Sequence, residues 1–330
     1  MSESTSSTAS TVKVLFIVGP GRSGSTLLAQ VLGQLPGVVD LGEFCWLWQR
    51  GIREGRPCGC GVPPLECPQW APVLRELLDP ENSGGSSHER LFVAEVVAAQ
   101  RRLAANFHRW RVLWSPKRTH GSCSDLMLVR SATEEMIRAI SKVTGASVLV
   151  DASKRPLDAA VLLGIESVDH YVLHLVRDPR AVAFSWSRSK EVRVSKLGID
   201  VMARRGSVSS AKRWVENHVG AGMLRRRMPR SRWLCARYED FVSDPAEQLA
   251  RICTLLGEPH QPAIDHGTVV LGTHHTVAGN PARFTTGEVR IRVDDEWRAA
   301  MPVRSRMLVS LITGPLLRSY GYGFRVKKRV

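Results

Sequence analysis

The sequence predicts a three-layer α/β fold with a central parallel sheet and a mostly helical insertion. Three observations carry the prediction. Short runs apolar on both faces alternate with amphipathic helical patterns, as in a parallel sheet covered by helices on both sides. The first of these runs closes on a glycine-rich turn that opens a helix. Residues able to do chemistry gather just past the ends of the runs, where sheets of this kind bind their ligands.

Val12–Val18 (VKVLFIV) reads as the first strand and Leu27–Leu35 as the helix beyond its turn. Val38–Leu41 is a second short strand, and Ser147–Val150, His170–Val176 and Trp233–Ala236 are further β-rich runs. Helical patterns follow the last three, at Leu157–Leu163, Ala181–Ser189 and Ala246–Leu256. Between Cys45 and Ser141 the strand rhythm stops, so residues 45–141 are expected to form the helical insertion, with a Gly/Ser loop at Asn82–Ser87 as its flexible point. Residues 1–11, rich in Ser and Thr, read as a disordered tail, and 12–330 as a single domain.

A chain of 330 residues, 43% hydrophobic, can bury one large α/β core. No apolar run reaches the roughly 18 residues of a membrane span. The polar N-terminus has no basic segment leading into a long apolar one, as an export signal would. A cytoplasmic location follows as the expectation, with the seven cysteines reduced. The net charge of +15 calls for an anionic partner. Part of it lies between Arg204 and Arg232, which reads as an Arg-rich, solvated helix. No nucleic-acid-binding module accompanies the charge, so nucleic acid is not expected as a partner, while peripheral membrane contact is compatible with it. Nothing in the sequence indicates an oligomeric state.

The turn after the first strand is Gly19-Pro-Gly21-Arg22-Ser23-Gly24-Ser25-Thr26. Its glycine spacing is that of a P-loop, and Thr26 stands at the loop's Ser/Thr position, but Ser25 replaces the lysine. The glycines let backbone N–H groups converge on a phosphate at a helix N-terminus. The group missing is the one that reaches the β- and γ-phosphates of a triphosphate. A P-loop-type cradle with Arg22 inside it suits a nucleotide carrying one 5′-phosphate.

GRSGSTLL resembles the 5′-phosphosulfate loop of sulfotransferases that use 3′-phosphoadenosine-5′-phosphosulfate (PAPS), in the branch of carbohydrate, tyrosylprotein and many bacterial enzymes. LVRDPRAVAFSWS resembles that family's 3′-phosphate signature, and the resemblance implies that Arg177 and Ser185 grip the phosphate. A guanidinium and a hydroxyl from adjacent elements suit that task. Asp178 is expected to cap the following helix, with Pro179 at its first position. Arg237-Tyr238-Glu-Asp-Phe241 resembles the family's RYEDL segment, which implies Tyr238 against the adenine. Asp151-Ala-Ser-Lys154 resembles the DSSK segment of bacterial members. Gly279-Asn280-Pro-Ala-Arg283-Phe284, followed by Asp294 and Trp297, resembles their late loop over the cofactor. The resemblance covers about Val12 to Met301. It implies PAPS as donor and 3′,5′-bisphosphoadenosine (PAP) as product.

Glu43, at the end of the second strand, falls on the catalytic glutamate of tyrosylprotein sulfotransferases in an ungapped comparison, which implies the general base. His120 is the alternative base, since cytosolic sulfotransferases use a histidine; His174, mid-strand, reads as structural. Lys154 aligns with the lysine that neutralises the bridging oxygen, and Arg22 is the further catalytic cation. The expected acceptor is a small molecule, sugar or glycolipid bearing a hydroxyl. Two other classes stay open: a P-loop kinase or NTPase, and a non-catalytic nucleotide- or polyanion-binding protein. Cys58, Cys60 and Cys67, with Cys45 upstream, could hold zinc, but C-x-C departs from the usual C-x-x-C spacing. They are read as a reduced, packed loop, and no metal ligand is assigned.

Overall fold

The computed structural model describes residues 11–77, 86–115, 124–188, 191–193, 199–201 and 204–324. The terminal tail up to residue 10, residues 82–85 of the expected Gly/Ser loop, and His120 lie outside them. Along the chain, β1 (Val12–Val18) leads to α1 (Ser25–Leu32) and β2 (Val38–Gly42). A 3₁₀ turn (Phe44–Trp46) and a π-helical stretch (Leu47–Arg53) open the insertion. Its helices are α2 (Trp70–Leu77), α3 (Ser86–Ala104), α4 (Asn106–Trp114) and α5 (Ser124–Thr144). The sheet resumes with β3 (Val148–Lys154), α6 (Pro156–Leu162), β4 (Val168–Val176) and α7 (Pro179–Ser187). A ribbon of β5 (Glu191–Arg193) and β6 (Ile199–Val201) precedes α8 (Ser207–Arg225), β7 (Trp233–Arg237), α9 (Tyr238–Ser243) and α10 (Pro245–Leu256). The hairpin β8 (Thr268–Leu271) and β9 (Gly287–Arg290), then α11 (Trp297–Ala300) and α12 (Val303–Ser319), complete the order.

The main sheet runs β2-β3-β1-β4-β7, every pair parallel. β1 is central, and its side chains alternate between two cores, as the two-residue period of a strand requires. Val14, Phe16 and Val18 pack with Met136, Ile140, Leu157 and Leu162 on one face. Leu15 and Ile17 pack with Leu28, Leu32, Phe241 and Ile252 on the other. Burial on both faces explains why β1 reads as continuously apolar rather than alternating.

Two elements differ from expectation, and a third, α12, falls where no element is expected. β3 runs on to Lys154 instead of ending at Val150, because Asp151 and Ser153 satisfy one another inside the sheet: Ser153 N–H donates to Asp151 Oδ1 at 2.8 Å. The Arg-rich segment is not merely a solvated face. α8 buries Ala211, Trp214, His218, Ala221 and Leu224, leaving arginines on its other side. α12, weakly amphipathic and interrupted by Pro315, packs Val309 and Leu317 against α7 and α8. His174 is structural as read: its Nε2 meets Nδ1 of buried His218 at 2.8 Å, and burial pushes it down to about 4. Both imidazoles are therefore neutral at neutral pH.

Candidate active site

The turn after β1 has the shape a phosphate cradle needs. Gly24 caps α1 at φ +84°, and a side chain there would strike the Tyr238 ring. Gly21 lies directly beneath the Trp186 indole. Arg22 takes φ +70°, a region non-glycine residues enter at a cost of about 1–3 kcal/mol and mostly at functional sites. Ser23 is fully buried and its hydroxyl has no hydrogen-bond partner. Ser25 and Thr26 begin α1, whose first-turn amides have no partner within the helix. An unpartnered buried hydroxyl below a left-handed turn and a helix start fits an anionic oxygen as the missing partner.

Beside this loop β4 ends on Arg177, 5% exposed. Arg177 donates to the Arg22 carbonyl at 2.7 Å and to Asp294 Oδ2 at 2.9 Å, and its guanidinium stacks 4.2 Å from the Tyr238 ring centroid. Its Nε is buried without a partner. Asp178 caps α7 as expected, accepting from the Arg180 N–H at 2.9 Å. Glu239 of the RYED segment accepts the Asp178 N–H at 3.0 Å and the Tyr322 hydroxyl at 2.6 Å. The three strand-end segments thus brace one another. Tyr238 sits packed between Gly24 and Arg177, and burial pushes its hydroxyl pKa up.

Across β1, the end of β3 carries the other half of the site. β3 carries one more residue than β1 between Asp151 and Lys154, so the pairing shifts register just before Lys154, which pairs with Val18. Lys154 takes φ +71°, and its carbonyl is held by the Gly19 N–H and by Asn217 Nδ2, both at 3.1 Å. Its Nζ donates to Glu43 Oε1 at 2.6 Å and to the Ala152 carbonyl at 3.0 Å. Ser153 Oγ accepts the Cys45 N–H at 2.9 Å, fixing the chain two residues beyond Glu43. Burial alone would raise the Glu43 carboxyl, but Lys154, helped by Arg50 and Arg155, holds it below the ordinary range. Arg22 is pushed below its usual value by burial and by Arg205.

The pair opens into a cleft of about 490 Å³. Gly19 and Gly21 form one wall, and Trp46, Trp110, Trp186 and Trp214 supply aromatic faces. Arg205 and Arg22 stack on the Trp186 ring at 4.1 and 4.8 Å. Glu43, Lys154, Arg22 and the loop glycines are thus brought together, with Arg177 and Tyr238 behind the loop. Ser185 lies half-buried on α7, beside Trp186. Asn280 caps its own 3₁₀ turn, and buried Arg283 donates to the Gly279 carbonyl, so both serve the late loop and neither lines the cleft. That loop approaches the site through Gly279, which abuts Glu43. Sequence reasoning did not single out Trp46, Trp110, Trp186 or Arg205. Trp186 alone had a signal, its place inside the second motif.

Cys45 stands apart from the other cysteines, beside Ser153. Cys58 and Cys67 are buried, as a packed loop requires, but they share their site with Cys60 and with His275 from the segment before the late loop.

A parallel α/β sheet with a glycine-rich turn at its carboxyl edge, next to a lysine–carboxylate pair in a cleft, is the arrangement expected of a group-transfer enzyme. The sequence model described as the sulfotransferase family matches residues 15–262, three quarters of the chain, and the protein belongs to that family. Human carbohydrate sulfotransferase 3 is 25% identical over 168 residues; the match takes in 47% of this chain and 34% of that protein, so the chain spans about a third of the relative's length. The sulfotransferase domain of the Synechococcus PCC 7002 olefin synthase shares the fold, at TM-score 0.53 and 21% identity over 94% of this chain and 95% of that domain. Sulfotransferase STF9 from Mycobacterium avium aligns at TM-score 0.47 and 13% identity, over 95% of this chain and 78% of that one.

The motif that places Lys154 has a measurable pH signature. Burial pushes the Asp151 carboxyl up to about 7. An acid raised in the folded state contributes stability that is complete below the unfolded value near 4 and lost as pH rises through about 7. Asp151→Asn keeps the accepting oxygen but removes the titration. Its unfolding free energy, from urea denaturation, should decline less steeply than that of the wild type between about pH 4 and 7. Equal slopes would mean that Asp151 stays ionised throughout.

Proposed function

We propose that the protein transfers the sulfuryl group of PAPS to an acceptor hydroxyl by in-line displacement and releases PAP. The observation that carries this reading is the Glu43–Lys154 pair, fixed by two strand ends and facing a cleft shared with the phosphate loop. The loop amides, Ser23, Ser25 and Thr26 would hold the 5′-phosphosulfate. Arg177 and Ser185 would hold the 3′-phosphate, which takes the place of the Asp294 carboxylate now on Arg177. Tyr238 stays behind the loop, supporting Gly24 and Arg177 and bordering the adenine. Asn280 and Arg283 act through the late loop that backs Glu43.

In the reaction the bond between sulfur and the bridging phosphate oxygen breaks, and a bond from sulfur to the acceptor oxygen forms. Glu43 takes the hydroxyl proton; the electron pair leaves with PAP. Lys154 turns from Glu43 to the bridging oxygen and neutralises its developing charge, with Arg22 adding positive potential. The same movement removes the strongest of the cations that depress the Glu43 pKa, so burial weighs more and pushes the carboxyl up toward the range of a working base. One lysine thereby prepares both ends of the transfer.

The aromatic walls and guanidinium groups of the cleft suit the ring of a sugar, or of a planar small molecule, with the reacting hydroxyl directed at Glu43. A glycolipid headgroup fits the same description. Among the described residues no helix is long and apolar enough to cross a membrane. A cytoplasmic location accords with six described cysteines that form no disulfide with one another. The kinase reading loses support from Ser25 in place of the P-loop lysine, and the pure binding reading from a lysine–carboxylate pair that faces the cleft.

Arg177→Ala should weaken PAP binding by roughly 1.5–3 kcal/mol in calorimetric titration, the worth of a charge-assisted hydrogen bond. Asp294→Asn, which frees Arg177, should strengthen it. Adenosine 5′-phosphosulfate should be a poor donor and added Mg²⁺ without effect; equal use of both donors would refute the 3′-phosphate site.

Glu43→Gln should lower kcat by roughly 10²–10⁴-fold with PAP affinity nearly unchanged. Lys154→Ala should also lower kcat, from the leaving-group side. Phenols of low pKa lose their proton unaided, so they should restore Glu43→Gln far better than Lys154→Ala. If they instead restore His120→Ala and leave Glu43→Gln inactive, the base is His120.

A further inference from the structure

Outside the cleft, three sulfurs and one imidazole nitrogen converge on a single point. Cys60 Sγ and Cys58 Sγ each lie 3.6 Å from Cys67 Sγ. His275 Nδ1 lies 3.1 Å from Cys67 Sγ and 4.0 Å from Cys58 Sγ, and all four atoms fall within 4.8 Å of one another. A tetrahedral zinc ion with Zn–S of about 2.3 Å and Zn–N of about 2.0 Å sets its ligands about 3.6–3.8 Å apart. The observed set is that of a Cys₃His site that closes on an ion with shifts of up to about an ångström. We propose that Cys58, Cys60, Cys67 and His275 bind one structural zinc ion.

The surrounding backbone is built for thiolates. The Cys58 sulfur accepts the Cys60 N–H, the Cys60 sulfur accepts the Val62 N–H, and the Cys67 sulfur accepts the N–H groups of Gln69 and Trp70. Such N–H···S bonds spread the charge left when zinc displaces the thiol protons to solvent. The tight C-x-C spacing is made possible by glycine on either side of Cys60. Gly59 packs its Cα against the carbonyls of His274 and Arg283, and Gly61 takes φ +94°. Cys58 closes a turn by accepting the Gly61 N–H and donating its own N–H to the Val62 carbonyl, both at 2.8 Å. Sulfur with imidazole in a closed tetrahedral set selects zinc over the harder cations, which prefer oxygen.

The ion joins two distant stretches of chain. The cysteine loop follows the π-helical turn, whereas His275 precedes the late loop. Gly59 N–H donates to the Thr276 carbonyl at 2.9 Å, and Trp70 Nε1 donates to the His275 carbonyl at 2.6 Å. The His275 stretch continues to Ala278, whose carbonyl accepts the Glu43 N–H at 3.4 Å, and to Gly279 against the Glu43 side chain. The clasp therefore sits behind Glu43 as a positioning device, through a stretch whose Thr276 and Ala278 share a small cavity with Glu43 and Thr26.

The test uses the full chain, untagged and purified without chelator. Elemental analysis should find one zinc per chain, and exchange with Co²⁺ should give the visible bands of a tetrahedral thiolate complex. Cys60→Ser and His275→Gln should each lower zinc content at least tenfold, while Cys235→Ser, outside the cluster, should leave it intact. Denaturing the wild type in the presence of a chromogenic chelator should release the ion together with the three cluster thiols, in addition to the buried Cys45 and Cys253 thiols that unfolding also exposes. Purified wild type that contains no zinc and takes none up after reduction would overturn the proposal. So would an intact mass showing a disulfide among the three cysteines, or unchanged zinc content in both ligand variants.

Discussion

The structure turns on the ion pair between Lys154 and Glu43, which ties the ends of β3 and β2 together where both meet the cleft. Lys154 ends β3 and Glu43 directly follows β2, so the pair joins two neighbouring strand ends. Holding it requires a left-handed lysine, two register shifts and a buried Asp151–Ser153 brace. Such features are costly, and packing on both faces of the sheet is what sustains them. A surface pair of these residues would contribute little. Here the partners are about 11% and 21% exposed, and breaking the pair leaves a nearly buried charge behind.

The Asp294–Arg177 contact does at the donor end what Glu43 does at the other. In both places a carboxylate occupies the cation that a phosphate or sulfuryl oxygen would claim. Under the proposed reading, a nucleotide anionic at both ends would displace a carboxylate from each of these cations as it enters a cleft that also carries Arg109, Arg155, Arg205 and Arg213. That displacement favours ligands with anionic groups at both ends, which is a matter of selectivity as much as of affinity.

Much of this was legible in the sequence, and the reasons are physical. β1 is apolar on both faces because both faces are buried, so Val12–Val18 could be read without ambiguity. Gly24 and the glycine spacing mark a left-handed turn that only a few residues tolerate. β3 was read too short because Asp151, Ser153 and Lys154 are polar, and nothing local shows that the first two satisfy each other inside a sheet. The aromatic walls were invisible for another reason: Trp46, Trp110 and Trp186 come from separate elements, and only the fold gathers them. His275 escaped for the same cause. A histidine far along the chain from the cysteines has no spacing rule to betray it.

The cleft takes its walls from two sources. Gly19, Gly21, Lys154 and Trp186 belong to the strand ends and to α7, whereas Trp110, Leu113 and Arg109 belong to α4, inside the insertion between β2 and β3. Within the insertion Cys45 and Arg50 lie beside the reacting pair and the cysteine loop braces the stretch behind Glu43, whereas the α4 residues line the cleft. The α4 residues can therefore drift, in natural descent or in a laboratory library, with less effect on the reacting pair. A scaffold arranged in this way can acquire a new acceptor while its donor chemistry stays fixed.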